Sequence, residues 1–157
     1  MIAVAFLILL GLACLLLAWI DLRHGIIPDW LNLAIAAIGL ARAANLDDWA
    51  LVLSAIAEGI LTGAIVWSLR WLYFKMRQRQ GLGLGDVKLL AASAIWVGLA
   101  GIPMLLLVAS LAALAAAGVL HLAGEKMTPQ TALPFGPFLA LGLLATLALQ
   151  QMGWATY

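Results

Sequence analysis

Charged residues are scarce in this sequence. Of its 157 residues, 10% are charged and 66% are hydrophobic, whereas a soluble domain carries about 25% charged and about 45–50% apolar residues. The formal net charge is +1, so no strong positive field favours binding to nucleic acid. These proportions argue against a soluble fold. They predict an integral membrane protein, organised as a single membrane-embedded domain over residues 1–157 and without a nucleic-acid partner.

Residues that bind metals or form disulfides are also few. Cys14 is the one cysteine in the chain, and His24 and His121 are the two histidines. A single chain with one cysteine forms neither a disulfide framework nor a cysteine zinc cluster. We therefore interpret Cys14 as a small, buried apolar residue, and we expect no metal and no other cofactor.

Long apolar stretches dominate the rest of the sequence and predict an all-α, polytopic bundle of six transmembrane helices. The predicted helices cover residues 2–22, 30–44, 49–75, 87–99, 102–122 and 134–151. The second and the fourth are short, and both begin on the same side of the membrane. A short helix is tolerated where the bilayer thins or where the helix end lines a wet cavity. We therefore expect a water-accessible site at the start of these two helices.

The basic residues are distributed unequally between the two sides of the predicted bundle. Arg42 falls near one side, and the other seven fall on the opposite side: Arg23, Arg70, Lys75, Arg77, Arg79, Lys88 and Lys126. Loops rich in Lys and Arg stay in the cytoplasm, so this second side is predicted to be cytoplasmic. With six helices, both chain termini then lie outside.

Two of the seven acidic residues suggest chemistry. Asp21 lies in the last turn of the first helix, where the helix dipole disfavours negative charge, and Asp86 opens the fourth helix. Both lie at the cytoplasmic end. Two carboxylates in a partly dry pocket share a proton, so one can accept a proton from water while the other donates to a carbonyl oxygen. This is the chemistry of an aspartic protease; the alternative is a pair of interfacial helix caps.

The segment "GLGLGDVKLL" at 81–90 places Asp86 after three glycines, Gly81, Gly83 and Gly85. Glycine gives the backbone access to positive φ and to close approach, and a substrate strand can pair with such a loop. A flexible turn between two helices explains the same glycines. Asp29 directly precedes the second helix and is interpreted as its N-terminal cap.

Glu58 lies well inside the third helix, about 12 Å from its outer end by helical rise. An acid at such a depth suggests a function by default. It supports an alternative reading, a small proton-coupled transporter or channel with Asp21, Glu58 and Asp86 as relay carboxylates. The chain lacks the inverted repeat that many transporters use, and its sequence alone assigns no role to Glu58.

Three segments together resemble the type IV prepilin peptidases, intramembrane aspartic proteases with a Gly-x-Gly-Asp motif. "GLGD" at 83–86 is similar to that motif, and "IDLRHGIIPDWLNL" at 20–33 resembles the segment around the family's first catalytic aspartate. "LPFGPFLALG" at 133–142 resembles the family's C-terminal Pro-Phe-Gly-Pro segment. The three segments occur in the family's order.

This resemblance implies a membrane endopeptidase whose catalytic pair is Asp21 and Asp86, with Asp29 outside that pair. It implies cleavage of short basic leader peptides from pilin-like precursors, at the cytoplasmic face of the inner membrane. Pilin, pseudopilin and flagellin-like precursors all remain open as substrates, and the oligomeric state is also left open. Further motif residues are expected to position the substrate: Gly83, Gly85, Lys88, Pro134 and Gly136.

One feature of many family members is not found in this sequence. Many bacterial members carry an N-terminal region with four zinc-binding cysteines and also N-methylate the new terminus, whereas this chain contains only Cys14. The resemblance is therefore to the shorter, peptidase-only members, and N-methyltransferase activity is not expected.

Lys88, two residues after Asp86, either contacts substrate and tunes the aspartate or extends its charged end to the membrane surface.

Overall fold

The computed structural model describes residues 2–46, 48–77, 81–123 and 134–153, and no β-strand occurs in these ranges. Six α-helices follow one another, with a short 3₁₀ turn at Leu99–Gly101 before the fifth. They are α1 (Ile2–His24), α2 (Asp29–Ala44), α3 (Trp49–Arg77), α4 (Leu84–Val97), α5 (Ile102–Leu122) and α6 (Gly136–Gln151). The all-α prediction is confirmed, and each predicted helix is found with its ends within three residues of the expected positions.

The helices differ in their ability to cross a membrane. Helices α1 and α3 and the segment Leu99–Leu122 are long and apolar enough to span a bilayer. Helices α2 and α6 have 16 residues each and α4 has 14, so α4 rises only about 21 Å against about 30 Å of hydrocarbon. The chain is a membrane protein with short helices as expected, while the count of six spans stays a prediction.

The short helix α4 lies at the centre of the bundle, in contact with α2, α3, α5 and α6. Eight of its 14 residues are buried. Helix α3 approaches it closely through two glycines. A Cβ on Gly59 would lie 3.0 Å from Ile95 Cγ1, and one on Gly63 would lie 3.2 Å from Ala91 Cβ. This spacing of small residues lets two membrane helices pack closely.

Polar contacts fix the second half of α4 among its neighbours. The indole Nε1 of Trp96 donates to the Ile35 carbonyl oxygen of α2 at 2.9 Å, and Gln150 Nε2 of α6 donates to the Val97 carbonyl oxygen at 2.9 Å. In a hydrocarbon environment backbone carbonyls need such partners. Because this end of α4 is tied to both α2 and α6, the position of its opposite end, with Asp86, is constrained.

Glu58 has a structural partner. Its Oε2 accepts a hydrogen bond from the Leu99 N–H at 3.0 Å, at the turn where α4 ends and the 3₁₀ turn begins. Gly98 in that turn has a φ of +75°, a conformation that favours glycine. The first N–H groups of a helix lack partners within it. Glu58 therefore supplies, from α3, an acceptor that this turn does not provide itself.

The Glu58 contact predicts a difference between two substitutions. Glu58→Gln keeps an oxygen that accepts from Leu99, so we expect nearly unchanged stability. Glu58→Leu leaves that N–H without its acceptor, and we expect a loss of about 1–3 kcal/mol in the free energy of unfolding. Unfolding of the purified proteins in detergent, followed by circular dichroism, measures both. Equal losses for Gln and Leu would contradict the assignment.

Candidate active site

One end of the bundle contains a cavity of about 770 Å³. The C-terminal end of α1 and the starts of α2 and α4 meet there, together with the segment that leads into α6. The cavity lining includes most of the residues that the sequence singled out, namely Asp21, Asp29, Gly83, Gly85, Asp86, Lys88 and Pro134. The fold thus brings together motif segments that are far apart in the chain.

Asp21 is almost fully buried, with 4% of its surface exposed. Its Oδ2 accepts a hydrogen bond of 2.9 Å from the N–H of Gly136, the first residue of α6. Free N–H groups and the positive dipole end make a helix start a good place for a carboxylate. At the C-terminal end of α1 the helix dipole disfavours the negative charge of Asp21. The N-terminal end of α6 compensates for this through its dipole and the Gly136 N–H.

Gly136 is glycine because no side chain fits at this contact. A Cβ on Gly136 would lie 2.6 Å from Asp21 Oδ2 and 3.1 Å from Ile27 Cδ1. Sequence reasoning expected Gly136 to position substrate and did not foresee its contact with Asp21. That contact joins residues 115 positions apart, and no local pattern reveals it.

Asp86 occupies the third position of α4 and is partly buried. Its Oδ2 accepts a hydrogen bond of 3.2 Å from the Gly83 N–H, so Asp86 helps to cap its own helix. Both carboxylates of the predicted pair therefore line one cavity, and each holds one oxygen against a glycine N–H at a helix start.

The glycines before Asp86 serve close approach of the backbone. Positive φ values among the described residues occur at Gly25, Gly98 and Gly153, so the 81–85 loop does not use the positive φ that glycine makes accessible. Gly83 has an extended backbone, with φ −64° and ψ 149°, and Gly85 belongs to the first turn of α4. Close approach is what requires Gly85, since a Cβ there would lie 2.9 Å from Ile27 Cβ.

Helix α4 begins at Leu84, three residues before the predicted start. The prediction treated 83–86 as part of a glycine-rich turn. The Asp86 carboxylate satisfies the Gly83 N–H, which permits an earlier helix start.

The chain matches a known protein family. The model of the type IV leader peptidase family matches residues 8–118. The chain belongs to the type IV leader peptidase family. The matched range of the family model includes both Asp21 and Asp86.

Curated members of the type IV leader peptidase family are similar over most of this chain. The prepilin leader peptidase/N-methyltransferase of Burkholderia pseudomallei (strain K96243) is 39% identical over 140 residues, which are 87% of this chain and 44% of the relative. The protein of the same name from Escherichia coli (strain K12) is 35% identical over 144 residues, 91% of this chain and 61% of the relative. The chain thus spans about half the length of the relatives it matches. No solved structure matches it.

Asp29 does not act as the N-terminal cap in this family member. Helix α2 begins at Asp29 itself, Pro28 occupies the cap position, and no side-chain hydrogen bond caps that end. The Asp29 carboxylate instead forms a salt bridge with Lys88, with 2.6 Å between Oδ1 and Nζ. The cap prediction is wrong because a cationic partner from α4 lies within reach. The pair is well exposed, so its contribution to stability is about 0–1 kcal/mol.

Within the described ranges, no group of three or more His, Cys, Asp or Glu side chains is arranged to hold a metal ion. His24 has another contact, because its Nδ1 lies 3.3 Å from the Ile20 carbonyl oxygen.

Proposed function

We propose that this chain is a membrane aspartic endopeptidase that cleaves leader peptides from pilin-like precursors. One observation carries the proposal: Asp21 of α1 and Asp86 of α4, 65 positions apart in the sequence, line the same cavity. The similarity to proteins named prepilin leader peptidase supports the substrate class.

The pair would act by general acid–base catalysis. Two adjacent carboxyl groups share one proton, so one is ionised while the other is protonated. The ionised carboxylate accepts a proton from a water molecule as the water oxygen attacks the scissile carbonyl carbon. The protonated carboxyl group donates to the carbonyl oxygen. The first carboxyl group then donates the proton it took from water to the amine nitrogen as the C–N bond breaks, and the second regains a proton from a hydroxyl of the intermediate. The products are a carboxylic acid and a free amine, and the pair is restored.

The glycine N–H contacts are compatible with one carboxyl group acting as the base and the other as the acid. Gly136 and Gly83 each occupy Oδ2 of one aspartate, which orients the carboxyl group. The Oδ1 atoms are then left for water and for the substrate carbonyl. Catalytic groups need this kind of fixed geometry to be effective.

Charge in the cavity favours a basic peptide. The lining includes three carboxyl groups, those of Asp21, Asp29 and Asp86, and one ammonium group, that of Lys88. Asp29 pairs with Lys88, and the other two carboxyl groups share one proton, so the lining carries one net negative charge, which attracts oppositely charged substrates. A short basic leader peptide is therefore a suitable ligand, with Gly83, Gly85, Lys88 and Pro134 as its expected contacts.

The transporter reading is not favoured. It needs Glu58 as a relay group, but the Glu58 carboxylate accepts the Leu99 N–H, which gives it a structural role. The other two proposed relay carboxylates, Asp21 and Asp86, lie in one cavity at one end of the bundle. They are not spaced along a proton pathway across the membrane.

We further propose that the cavity faces the cytoplasm and that the chain resides in the inner membrane as one domain. Arg70 of α3 reaches the loop before α4, which places the basic end of α3 beside the cavity. Lys88 lines the cavity itself. Basic residues mark the cytoplasmic side, so the two chain termini would lie outside if the six helices all span.

This topology predicts a labelling pattern. Single cysteines at 78 and 127 should react with an impermeant thiol reagent from the cytoplasmic side, and one at 47 from outside, in a Cys14→Ser background. All three positions lie outside the described residues. Labelling of spheroplasts and of inverted vesicles measures this, and the reverse pattern would place the aspartates on the wrong face.

Metal chelation should leave peptidase activity unchanged. The two carboxyl groups and water suffice for the proposed reaction, and EDTA removes neither. The measurement is precursor cleavage before and after dialysis against EDTA. Lost activity that zinc restores would contradict the mechanism.

The proposed function is tested by incubating the purified protein with a pilin-like precursor and identifying the products by mass spectrometry. The Burkholderia pseudomallei relative serves as the positive control for the same precursor. We expect a released leader and a shortened pilin. If the relative cuts the precursor and this chain leaves it intact, the proposal is wrong for that substrate class.

A further inference from the structure

The end of α3 contacts the loop that precedes α4. Arg70 Nε donates a hydrogen bond of 2.8 Å to the Leu82 carbonyl oxygen, and the Arg70 side chain is partly buried. Gly81 lies against the ring of Tyr73, where a Cβ would be only 2.8 Å from Tyr73 Cε1. Residues three apart share one face of a helix, so Arg70 and Tyr73 contact the loop from the same face of α3.

The Leu82 carbonyl and the Gly83 N–H belong to a single peptide group. Arg70 donates to the carbonyl oxygen of this group, and its N–H donates to Asp86 Oδ2. A peptide group is planar, so a bond that fixes the direction of its C=O also fixes the direction of its N–H. Consecutive hydrogen bonds also polarise one another. Arg70 and Asp86 are therefore connected through one rigid unit.

We propose that Arg70 is a positioning residue for the Asp86 carboxylate, acting through the Leu82–Gly83 peptide group. The cavity that contains Asp21 and Asp86 is lined by Gly81, Leu82 and Gly83 but not by Arg70. Arg70 thus contacts the loop that forms this wall from the side facing away from the cavity, where it does not touch substrate. The inference rests on the proposed function only for its kinetic readout.

The sequence alone gave Arg70 a different role, as one of the basic residues that set topology. For topology a positive charge is sufficient, and lysine serves as well as arginine. Arg70 additionally donates a hydrogen bond from Nε to the Leu82 carbonyl oxygen, and the planar guanidinium group fixes the direction of that bond in a way that a lysine ammonium group does not. Arg77, seven residues further along the same helix, shares the charge and the membrane side, so it is the matched control.

The kinetic test compares Arg70→Met and Arg70→Lys with Arg77→Met. We expect kcat for precursor cleavage to fall about ten- to a hundredfold in Arg70→Met, because small displacements of catalytic groups have effects of that size. KM should change less, since the cavity lining is intact. Arg70→Lys keeps the charge and should fall between Arg70→Met and wild type, while Arg77→Met should match wild type. Equal losses at Arg70 and Arg77 would overturn the proposal in favour of a charge effect.

A spectroscopic test reads the contact without activity. The sequence contains four Leu–Gly pairs, at 10–11, 82–83, 84–85 and 141–142. Protein labelled with ¹³C at leucine carbonyls and ¹⁵N at glycine therefore gives four carbonyl–amide NMR peaks. The Leu82–Gly83 peak, assigned with Leu82→Ile, should shift in Arg70→Lys and in Asp86→Asn and stay in place in Arg77→Met. An unmoved peak in Arg70→Lys would overturn the proposal.

The two tests separate this inference from the proposed function. If the wild-type protein cleaves no precursor, the proposed function fails, and the NMR peak alone decides whether Arg70 holds the peptide group. If wild type is active and Arg70→Met retains full kcat, the positioning role of Arg70 fails and the proposed function stands.

Discussion

Asp21→Asn and Asp86→Asn should each abolish precursor cleavage while the protein still inserts and purifies. Asparagine matches aspartate in shape and keeps an oxygen that accepts the Gly136 or Gly83 N–H. It neither accepts a proton from water nor donates one as an acid, and loss of general acid–base catalysis reduces rates by roughly 10²–10⁴-fold. The measurement is leader release by the purified variants under single-turnover conditions.

The control for this prediction is Asp48→Asn. Asp48 lies near the start of α3, where its exposed Oδ1 accepts the Ala50 N–H at 2.9 Å, and asparagine also caps helices well. We expect wild-type activity for this variant. Near-normal turnover in either cavity variant would show that the two carboxyl groups do not act together. A mixture of the two inactive variants should remain inactive, because both aspartates belong to one chain's cavity.

Gly136→Ala should nearly abolish activity by displacing Asp21. The added Cβ would lie 2.6 Å from Asp21 Oδ2, closer than Cβ atoms approach other atoms in folded proteins, and 3.0 Å from Asp21 Cγ. Either the carboxylate moves or the start of α6 does, and the 2.9 Å hydrogen bond is lost in both cases. Displacing a catalytic group by about 1 Å costs about 10²-fold in rate. We also expect a lower free energy of unfolding by about 1–3 kcal/mol from overpacking.

Gly118→Ala is the matched control for Gly136→Ala. Gly118 lies in α5, and a Cβ there would meet no atom within 4 Å. The same chemical change should therefore leave activity intact and stabilise the helix slightly. Cleavage rates and thermal unfolding of the two variants provide the comparison. Full activity of Gly136→Ala would show that the close contact with Asp21 is dispensable.

The sequence contained enough information to locate the helices and the two aspartates. Apolar stretches define the helices, three of them in segments of membrane length, and alternation of helix direction places the end of α1 and the start of α4 on one side. The motif resemblance then selects Asp21 and Asp86 from seven acids. Their convergence on one cavity follows from features that are local in the sequence, so it was predictable.

The partners of the acidic residues were not predictable in this way. The Gly136 contact of Asp21, the Lys88 partner of Asp29 and the Leu99 partner of Glu58 join different helices. Each depends on the rotation and depth at which two helices pack. Asp29 shows the consequence: an acid before a helix normally caps it, but here the helix begins at Asp29 itself and the carboxylate pairs with a lysine from another helix.

Cleavage of a purified precursor in H₂¹⁸O tests the central claim most directly. The proposed mechanism forms a bond between a water oxygen and the scissile carbonyl carbon, so one ¹⁸O should appear in the new carboxyl terminus of the released leader. Mass spectrometry should detect this product with the wild-type protein and with Asp48→Asn, and with neither Asp21→Asn nor Asp86→Asn. A labelled leader produced at the wild-type rate by either cavity variant would contradict the account.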